Sequence, residues 1–427
     1  MPEPDVTATS DLIGIGAGPA NLSLAALLSP VARVQVRLLE QRPAVSWHPG
    51  LLLPGASMQV SFLKDLVTPV APTNPFSFLS FLVAHRRFYR FTAAGYDRPS
   101  RAEFDQYLRW VAAGLPSIEY GQRAEAVDYH ADRFQVSTGG RHFAARSLAL
   151  GSGPMPYTPP CARPHLGRTV FHASDYVFQR PAAHQRVAVV GGGQTGAEVF
   201  LDLLDQGCRE ILLVTRRSNL LPLDDSPFQN ELFTPHYTAK FLDLSLSTRQ
   251  SLLATQRLAS DGVSTDLLQR IYRRLYELEY TGDPATARPA IWPRQELVEL
   301  HPRRGGCWTL VTEHLGTGHR RSETADVVVL ATGYTHDLPR YLDPLRNRIA
   351  FEEQLPVVRP DFSLVWDGPP AARIYLQNAA RHTHGIADPN LSLLAWRSAV
   401  IVNSLLGRTL YDVDDHPSTI VWDERQT

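Results

Sequence analysis

Cysteine is scarce in this 427-residue chain: Cys161, Cys208 and Cys307 are the only three, far apart and without a CxxC pair. That spacing excludes a paired-thiol redox centre and a clustered thiolate metal site. It fits a reducing cytoplasm, where isolated cysteines serve mainly as small packing residues. A charge bias is lacking as well. Lys and Arg number 42 against 43 Asp and Glu, for a formal net charge of −1. The basic excess that accompanies nucleic acid or an anionic membrane surface is therefore missing, and neither is expected as a partner. No apolar run approaches the ~20 residues that span a bilayer. The opening MPEPDVTATS has neither the basic nor the apolar region of a signal peptide and reads as a loose tail. The expected location is the cytoplasm.

What is present is the composition of an ordinary globular enzyme, 44% hydrophobic and 20% charged, at a length that suits two or three packed units. Asp11 to Ile15 is a short apolar run entering GIGAGPANL, followed by a helical pattern over Leu22 to Leu28. A second apolar run, Val34 to Glu40, ends on an acid. This is the start of a βαβ unit whose strands are apolar enough to be buried on both faces. A stretch rich in Pro, Ser and aromatics follows, SWHPGLLLPGASMQVSFLKDLVTPVAPTNPFSFLSFL, read as an ordered loop with a helix from about Pro75. The pattern restarts at Gln185: RVAVVGGGQTGAEVFLDLLDQG repeats strand, glycine turn and helix, and ILLVTRR supplies the next strand. Ser218 to Tyr280 is polar and helical, and DVVVLATGYTHDLP brings a late strand.

The first glycine turn is Gly16-Ala17-Gly18-Pro19-Ala20-Asn21. Gly16 permits the tight turn, and Gly18 lets backbone N–H groups approach a pyrophosphate at the helix N-terminus. Asn21 stands where a third glycine is usual, so the helix must pack there with a side chain. Glu40, some twenty residues on, can accept hydrogen bonds from an unphosphorylated ribose. The plain alternative is a glycine turn in an α/β fold that holds no ligand. The combination of strand, turn, helix and acid favours a dinucleotide, read as FAD.

The second turn carries the complete GxGxxG, Gly191, Gly193 and Gly196, with Gln194 inside it. Its following strand ends on Thr215-Arg216-Arg217 instead of an acid. Cations at that point suit a ribose 2′-phosphate, so NADPH is favoured over NADH. Either arginine alone could equally be a solvated strand end.

The motifs GIGAGPANLSLAAL, the long loop from Ser46, VVGGGQTGAEVFLDLL, LATGY and RHTHGIADPNLSLLAWRS together cover nearly the whole chain from Asp11 to Trp422. On these the chain resembles the microbial N-hydroxylating flavoprotein monooxygenases of siderophore biosynthesis, most closely their lysine N6-hydroxylase branch. The resemblance implies an α/β architecture with two Rossmann-like domains, for FAD and NADPH, and a small, mainly helical substrate-binding insert. The expected division is 1–165 with 326–427 for FAD, 166–217 with 281–325 for NADPH, and 218–280 for the insert. It also implies the chemistry: NADPH reduces FAD, O2 forms a C4a-hydroperoxide, and a side-chain amine of the substrate takes the distal oxygen. No protein nucleophile is required. A water-poor, largely uncharged pocket would favour the free base of a lysine ε-amine, whose ordinary pKa is ~10.4.

Particular residues carry roles by the same resemblance. Lys64 matches the lysine that receives the substrate α-carboxylate, Asn230 an asparagine at the same end of the substrate, and Gln59 a glutamine beside the flavin ring. Trp47, His48 and Leu391 are expected at the flavin, and Ser392 near flavin and substrate. His172 is placed at domain closure or NADP+. The competing reading of Lys64 is a surface lysine paired with Asp65, and that of His48 an ordered histidine shaping the pocket. His382 and His384, two apart and without a supporting carboxylate or cysteine set, do not make a metal site, and no metal is expected. One departure stands out: Asp261-Gly262 is followed by Val263-Ser264-Thr265, where ornithine-type members carry an Asn-Tyr pair. L-Lysine is the expected substrate, ahead of ornithine and diamines such as putrescine and cadaverine. A flavoprotein NADPH oxidase or redox-responsive binding protein is the reading from another class. A homo-oligomer, tetrameric by analogy, is expected.

Overall fold

The computed structural model describes residues 9–208, 210–281, 288–414 and 418–422. Residues 1–8 of the expected tail lie outside this set, and its last residue already belongs to the first strand.

Strand β1 (Ser10–Ile15) leads through the first glycine turn into helix α1 (Pro19–Leu28), and β2 (Val36–Glu40) returns parallel to β1, with Leu12 opposite Val36 and Ile15 opposite Leu39. All ten residues of α1 are buried, as its lack of a polar face requires. The long segment between Glu40 and Arg101 contains two short α-helices, Phe78–Ala84 and Phe88–Ala93; the first starts three residues later than expected because Ser77 caps it by accepting from the Ser80 N–H. Helix α2 (Arg101–Gly114) is capped in the same way by Ser100. Strands β3 (Ile118–Tyr120), β4 (Ala124–His130), β5 (Arg133–Thr138) and β6 (Arg141–Leu150) complete a sheet of order β3-β2-β1-β6-β5-β4.

The second sheet begins with β7 (Val170–His172) and β8 (Arg186–Val190), followed by helix α3 (Gln194–Asp205) and β9 (Glu210–Val214). The helical region supplies α4 (Pro235–Leu242), α5 (Leu246–Thr255) and α6 (Thr265–Tyr280). Strand β10 (Arg288–Trp292) then precedes an antiparallel trio, β11 (Gln295–Arg303), β12 (Cys307–His314) and β13 (Arg320–Ala325). Strand β14 (Val327–Leu330) pairs parallel with both β8 and β7, giving the order β10-β9-β8-β14-β7.

That pairing moves one expected boundary. The chain does not return to the first sheet at residue 326; β14 is an interior strand of the second sheet. Its four apolar residues suit the middle of either parallel sheet, so hydropathy alone does not choose. Packing against the first domain resumes with Leu338, Leu342 and Leu345, and the sheet itself is rejoined by β15 (Ile374–Leu376) against β6. Helix α7 (Leu394–Leu406) then packs on α1.

The helical region is not one free-standing unit. Leu267 and Ile271 of α6 share a core with Val199, Phe200 and Leu203 of α3, whereas Tyr237 and Phe241 of α4 pack with Ile386 and Ala387 of the C-terminal segment. It is therefore packed onto both nucleotide halves.

Asn21 ties the first domain together beneath the turn. Its Nδ2 donates to the carbonyl oxygens of Gly16 (2.8 Å) and Ile15 (3.2 Å), and its Oδ1 accepts from Gln377 Nε2 (2.6 Å). It fills the space beside Gly14 and Gly151, where an added Cβ would stand 3.0 and 2.5 Å from its amide nitrogen. Asn21→Ala strands the buried Gln377 amide and is expected to cost about 1–3 kcal/mol of unfolding free energy in urea titration; an unchanged midpoint and slope would contradict this role.

Candidate cofactor and substrate site

Both glycine turns leave a helix N-terminus open. Gly16 has φ +91°, and a Cβ on it would lie 2.6 Å from the Gly151 carbonyl oxygen, so only glycine makes this turn. Gly18 is the N-cap of α1 with no side-chain cap, Pro19 presets the first helical residue, and a Cβ on Gly18 would meet nothing closer than 3.9 Å. Free amides facing open space form an anion cradle. The Glu40 carboxylate stands at its edge, Oε2 accepting from the Ala17 N–H and Oε1 from the Arg42 N–H, each at 2.9 Å. Asn21, expected with the rest of the turn at the cofactor, is instead fully buried and shapes the cradle from behind.

The second turn repeats the design. Gly191 has φ +129°, and a Cβ there would stand 2.0 Å from the Ala331 carbonyl oxygen; one on Gly196 would stand 1.9 Å from that of Gly191. Gly193 caps α3 without a side-chain acceptor, and a Cβ on it would find nothing within 4 Å. The two arginines after β9 diverge. Arg216 is exposed, 3.5 Å from Glu296, whereas Arg217 donates to the Asp261 carbonyl oxygen at 2.8 Å. Burial, then nearby Arg257, pushes the Arg217 pKa down. Arg216 thus keeps a solvent-facing guanidinium with a surface ion pair, while Arg217 is bound to the helical region. The Asp261-Gly262 step it grips is itself tight: a Cβ on Gly262 would lie 2.2 Å from Leu223 Cα.

The long loop after Glu40 joins the two halves. Trp47 donates its N–H to Asp105 at 2.7 Å, and its ring meets His48 and Phe104 at centroid distances of 4.7 and 5.4 Å. Burial, with Arg101 and Arg42 adding repulsion, lowers the His48 pKa to about 4, so its imidazole is neutral at pH 7. A Cβ on Gly50 would fall 1.8 Å from the Ser174 carbonyl oxygen, and Leu51, Leu53 and Ala56 enter the core of the second domain. His172 braces the same contact: its Nδ1 accepts from the Ser174 N–H (3.1 Å), leaving Nε2 to donate to the Gly333 carbonyl oxygen (3.0 Å). Gln59 Nε2 lies 3.4 Å from Gln194 Oε1 and 3.5 Å from Ser264 Oγ.

Sequence reasoning missed the ion pair at this junction. Arg101, the first residue of α2, holds Glu198 of α3 through Nη2–Oε1 at 2.8 Å and Nη1–Oε2 at 3.0 Å, and Nη1 also donates to the Leu51 carbonyl oxygen (2.9 Å). Gln194 Nε2 donates to Glu198 at 2.9 Å, and Gln194 Oε1 accepts from the Ser264 N–H at 2.9 Å. The available signal was a single acid inside the otherwise apolar helix segment GAEVFL.

The pairing of Lys64 with Asp65 does not occur. Asp65 is buried, and its carboxylate accepts from the N–H groups of Val67, Thr68 and Phe78 and from Thr68 Oγ1, at 2.6 to 2.9 Å. Lys64 is left half-buried, its pKa lowered by burial and by Arg98 and raised by Asp97. Asn230 is exposed, its Nδ2 donating to the Asp225 carbonyl oxygen at 3.1 Å. Ser392 is buried, donating through N and Oγ to Asn390 Oδ1 at 2.9 and 3.0 Å, beside the partly buried Leu391. The turn carrying them is anchored by the fully buried Arg397, which donates to the Asp388 carbonyl oxygen and to Asn378 Oδ1, each at 2.5 Å. His382 Nε2 meets the Pro356 carbonyl oxygen at 2.8 Å. His384 stacks on Phe362 at 3.9 Å, and burial lowers its pKa to about 4. Both imidazoles are engaged by the fold.

Comparison with known proteins agrees with this geometry. Residues 8–336 match the family model for L-lysine 6-monooxygenase/L-ornithine 5-monooxygenase. The chain is 42% identical over 420 residues to the L-lysine N6-monooxygenase of Escherichia coli, covering 96% of this chain and 98% of that protein. Among solved structures, it is similar to the FAD-bound cadaverine monooxygenase of desferrioxamine biosynthesis from Erwinia amylovora, with TM-score 0.91, 28% identity, and 99% and 100% coverage of the two chains. The Kutzneria sp. 744 ornithine N-hydroxylase, solved with reduced FAD, NADP+ and L-ornithine, gives TM-score 0.86 and 30% identity, over 94% of this chain and 99% of that one. Among the described residues no helix is long and apolar enough to cross a membrane. With two uncapped glycine-turn helices, an acid at one and an exposed arginine at the other, this chain belongs to the L-lysine 6-monooxygenase/L-ornithine 5-monooxygenase family of flavin-dependent N-hydroxylating monooxygenases of siderophore biosynthesis, with FAD and NADPH as cofactors.

Proposed function

We propose that the amine hydroxylated is the side-chain nitrogen of L-lysine, giving N6-hydroxylysine for a hydroxamate siderophore or a related product. The observation that carries this reading is the inward turn of Asp65. It leaves the half-buried Lys64 ammonium to receive an α-carboxylate, which an amino acid has and a diamine lacks. The 42% identity to a lysine monooxygenase points the same way.

FAD, reduced by NADPH and reacting with O2, supplies the oxygen-transfer chemistry when bound. The chain's own residues do the rest. The α1 amides after Gly18 and Pro19 hold the FAD pyrophosphate, and Glu40 takes its ribose. Trp47, His48 and Leu391 wall the flavin. Gly191, Gly193 and Gly196, with Gln194, receive NADPH, and Arg216 meets its 2′-phosphate with Arg217 fixed behind it. Lys64 and Asn230 hold the amino-acid head group; Gln59 and Ser392 orient the reacting end.

Electrostatics favours this assignment of ends. An ammonium is no nucleophile, and a lysine side chain at pH 7 is nearly all ammonium, with an ordinary pKa of ~10.4. A wall containing a neutral imidazole at His48 adds no carboxylate that would hold the amine protonated. The single charge demand of the site is thereby moved to Lys64, at the other end of the substrate.

The test is product analysis with purified enzyme, NADPH and each of lysine, ornithine, putrescine and cadaverine. N6-hydroxylysine is expected to dominate at equal concentrations; hydroxylated putrescine or cadaverine without hydroxylysine would overturn the reading. Peroxide with no hydroxylated amine from any of the four would establish an NADPH oxidase instead. In Lys64→Ala the lysine KM is expected to rise about 10- to 100-fold, with the rate of flavin reduction by NADPH nearly intact. An unchanged KM would remove Lys64 from the head-group site.

A further inference from the structure

Lys64 and Asn230 sit on different parts of the fold, the first on the loop after Glu40 and the second at the end of the short helix Pro227–Asn230. A continuous set of contacts joins them. Ser61 Oγ donates to Asp97 Oδ1 at 2.8 Å, and the Phe62 N–H donates to the Asp97 carbonyl oxygen at 3.0 Å, which fastens the Lys64 loop to the segment before α2. The neighbouring Arg98 reaches across to the helical region, its Nη2 lying 3.1 Å from Asp225 Oδ2. The carbonyl oxygen of that same Asp225 accepts from Asn230 Nδ2 at 3.1 Å. The Arg98 and Asp225 side chains are 39% and 44% exposed, so the pair contributes little to the stability of the fold. Its effect is on geometry: this ion pair links the loop that carries Lys64 to the segment that carries Asn230.

We infer that the Arg98–Asp225 pair is a specificity latch, which positions Lys64 and Asn230 to grip an α-amino-acid head group and thereby selects amino acids over diamines. This rests on the head-group role given to Lys64 and Asn230 above and adds a residue pair that acts through them. Arg98 and Asp225 are positioning residues. A misplaced clamp loses the substrate that depends on it; cadaverine, which is lysine without the carboxylate, does not depend on it.

The experiment uses the full-length FAD enzyme with Arg98→Gln, Asp225→Asn and the charge-reversed pair R98D/D225R, measuring hydroxylated product from lysine and from cadaverine. Each single variant is expected to raise the lysine KM about 5- to 10-fold with kcat within about 2-fold, to leave kcat/KM for cadaverine unchanged, and the reversed pair to restore the lysine KM to within about 3-fold. An unchanged lysine KM in both single variants, an equal loss on both amines, or no restoration in the reversed pair overturns the latch. Failure of the lysine assignment would show in the wild-type enzyme instead, as hydroxyornithine without hydroxylysine. Ornithine and putrescine then replace lysine and cadaverine, with the same outcomes deciding.

Discussion

The Arg101–Glu198 ion pair is the point on which the two nucleotide-binding halves meet. Its side chains are 12% and 5% exposed, and the two hydrogen bonds at 2.8 and 3.0 Å form the paired geometry that makes an arginine–carboxylate contact directional. Removing one partner of such a pair leaves an uncompensated buried charge and costs about 3–5 kcal/mol. The contact also does more than hold. Glu198 is bonded to Gln194 of the second glycine turn, Gln194 to Ser264 at the start of α6, and Gln59 lies within 3.5 Å of both. Arg101 holds the Leu51 carbonyl oxygen of the loop that follows Glu40. These contacts connect the first domain, the second domain and the helical region.

We propose that this junction aligns the two cofactors. Two cofactors bound at separate helix N-termini must bring a nicotinamide to a flavin, and a substrate amine must later occupy the same neighbourhood with water kept out. In the proposed reading, the loop from Trp47 to Leu66 serves all three. Its beginning packs on Asp105 and Phe104, its middle enters the core of the second domain at Leu51, Leu53 and Ala56, and its end presents Lys64 over the buried Asp65. Burial lowers the pKa of His48 and of His384 to about 4, and lowers that of His172 as well.

Features that depend on local chain geometry were legible in the sequence. A glycine at φ +91° or +129° with a carbonyl oxygen 2.6 or 2.0 Å from any Cβ leaves its mark as an obligatory residue type, and the acid at Glu40 and the arginine at Arg216 follow at fixed distances along the chain. Features that depend on which distant segment arrives were not legible. The apolar run Val327–Leu330 fits either sheet, and only its pairing with β8 and β7 assigns it. Arg216 and Arg217 look alike in sequence, yet the Asp261 carbonyl oxygen claims one of them. Asn21 reads as a substituted glycine until Gln377, more than 350 positions away, is found bonded to it. Arg397 and Glu198, buried charges in apolar helices, are signals of the same kind: each announces a partner without saying where it lies.

The claim that the junction aligns the two cofactors is tested most directly by anaerobic stopped-flow reduction of bound FAD by NADPH in Glu198→Gln beside the wild type. The account predicts at least about a tenfold slower reduction at saturating NADPH, with FAD content of the purified enzyme preserved. Reduction at the wild-type rate in the variant would contradict it.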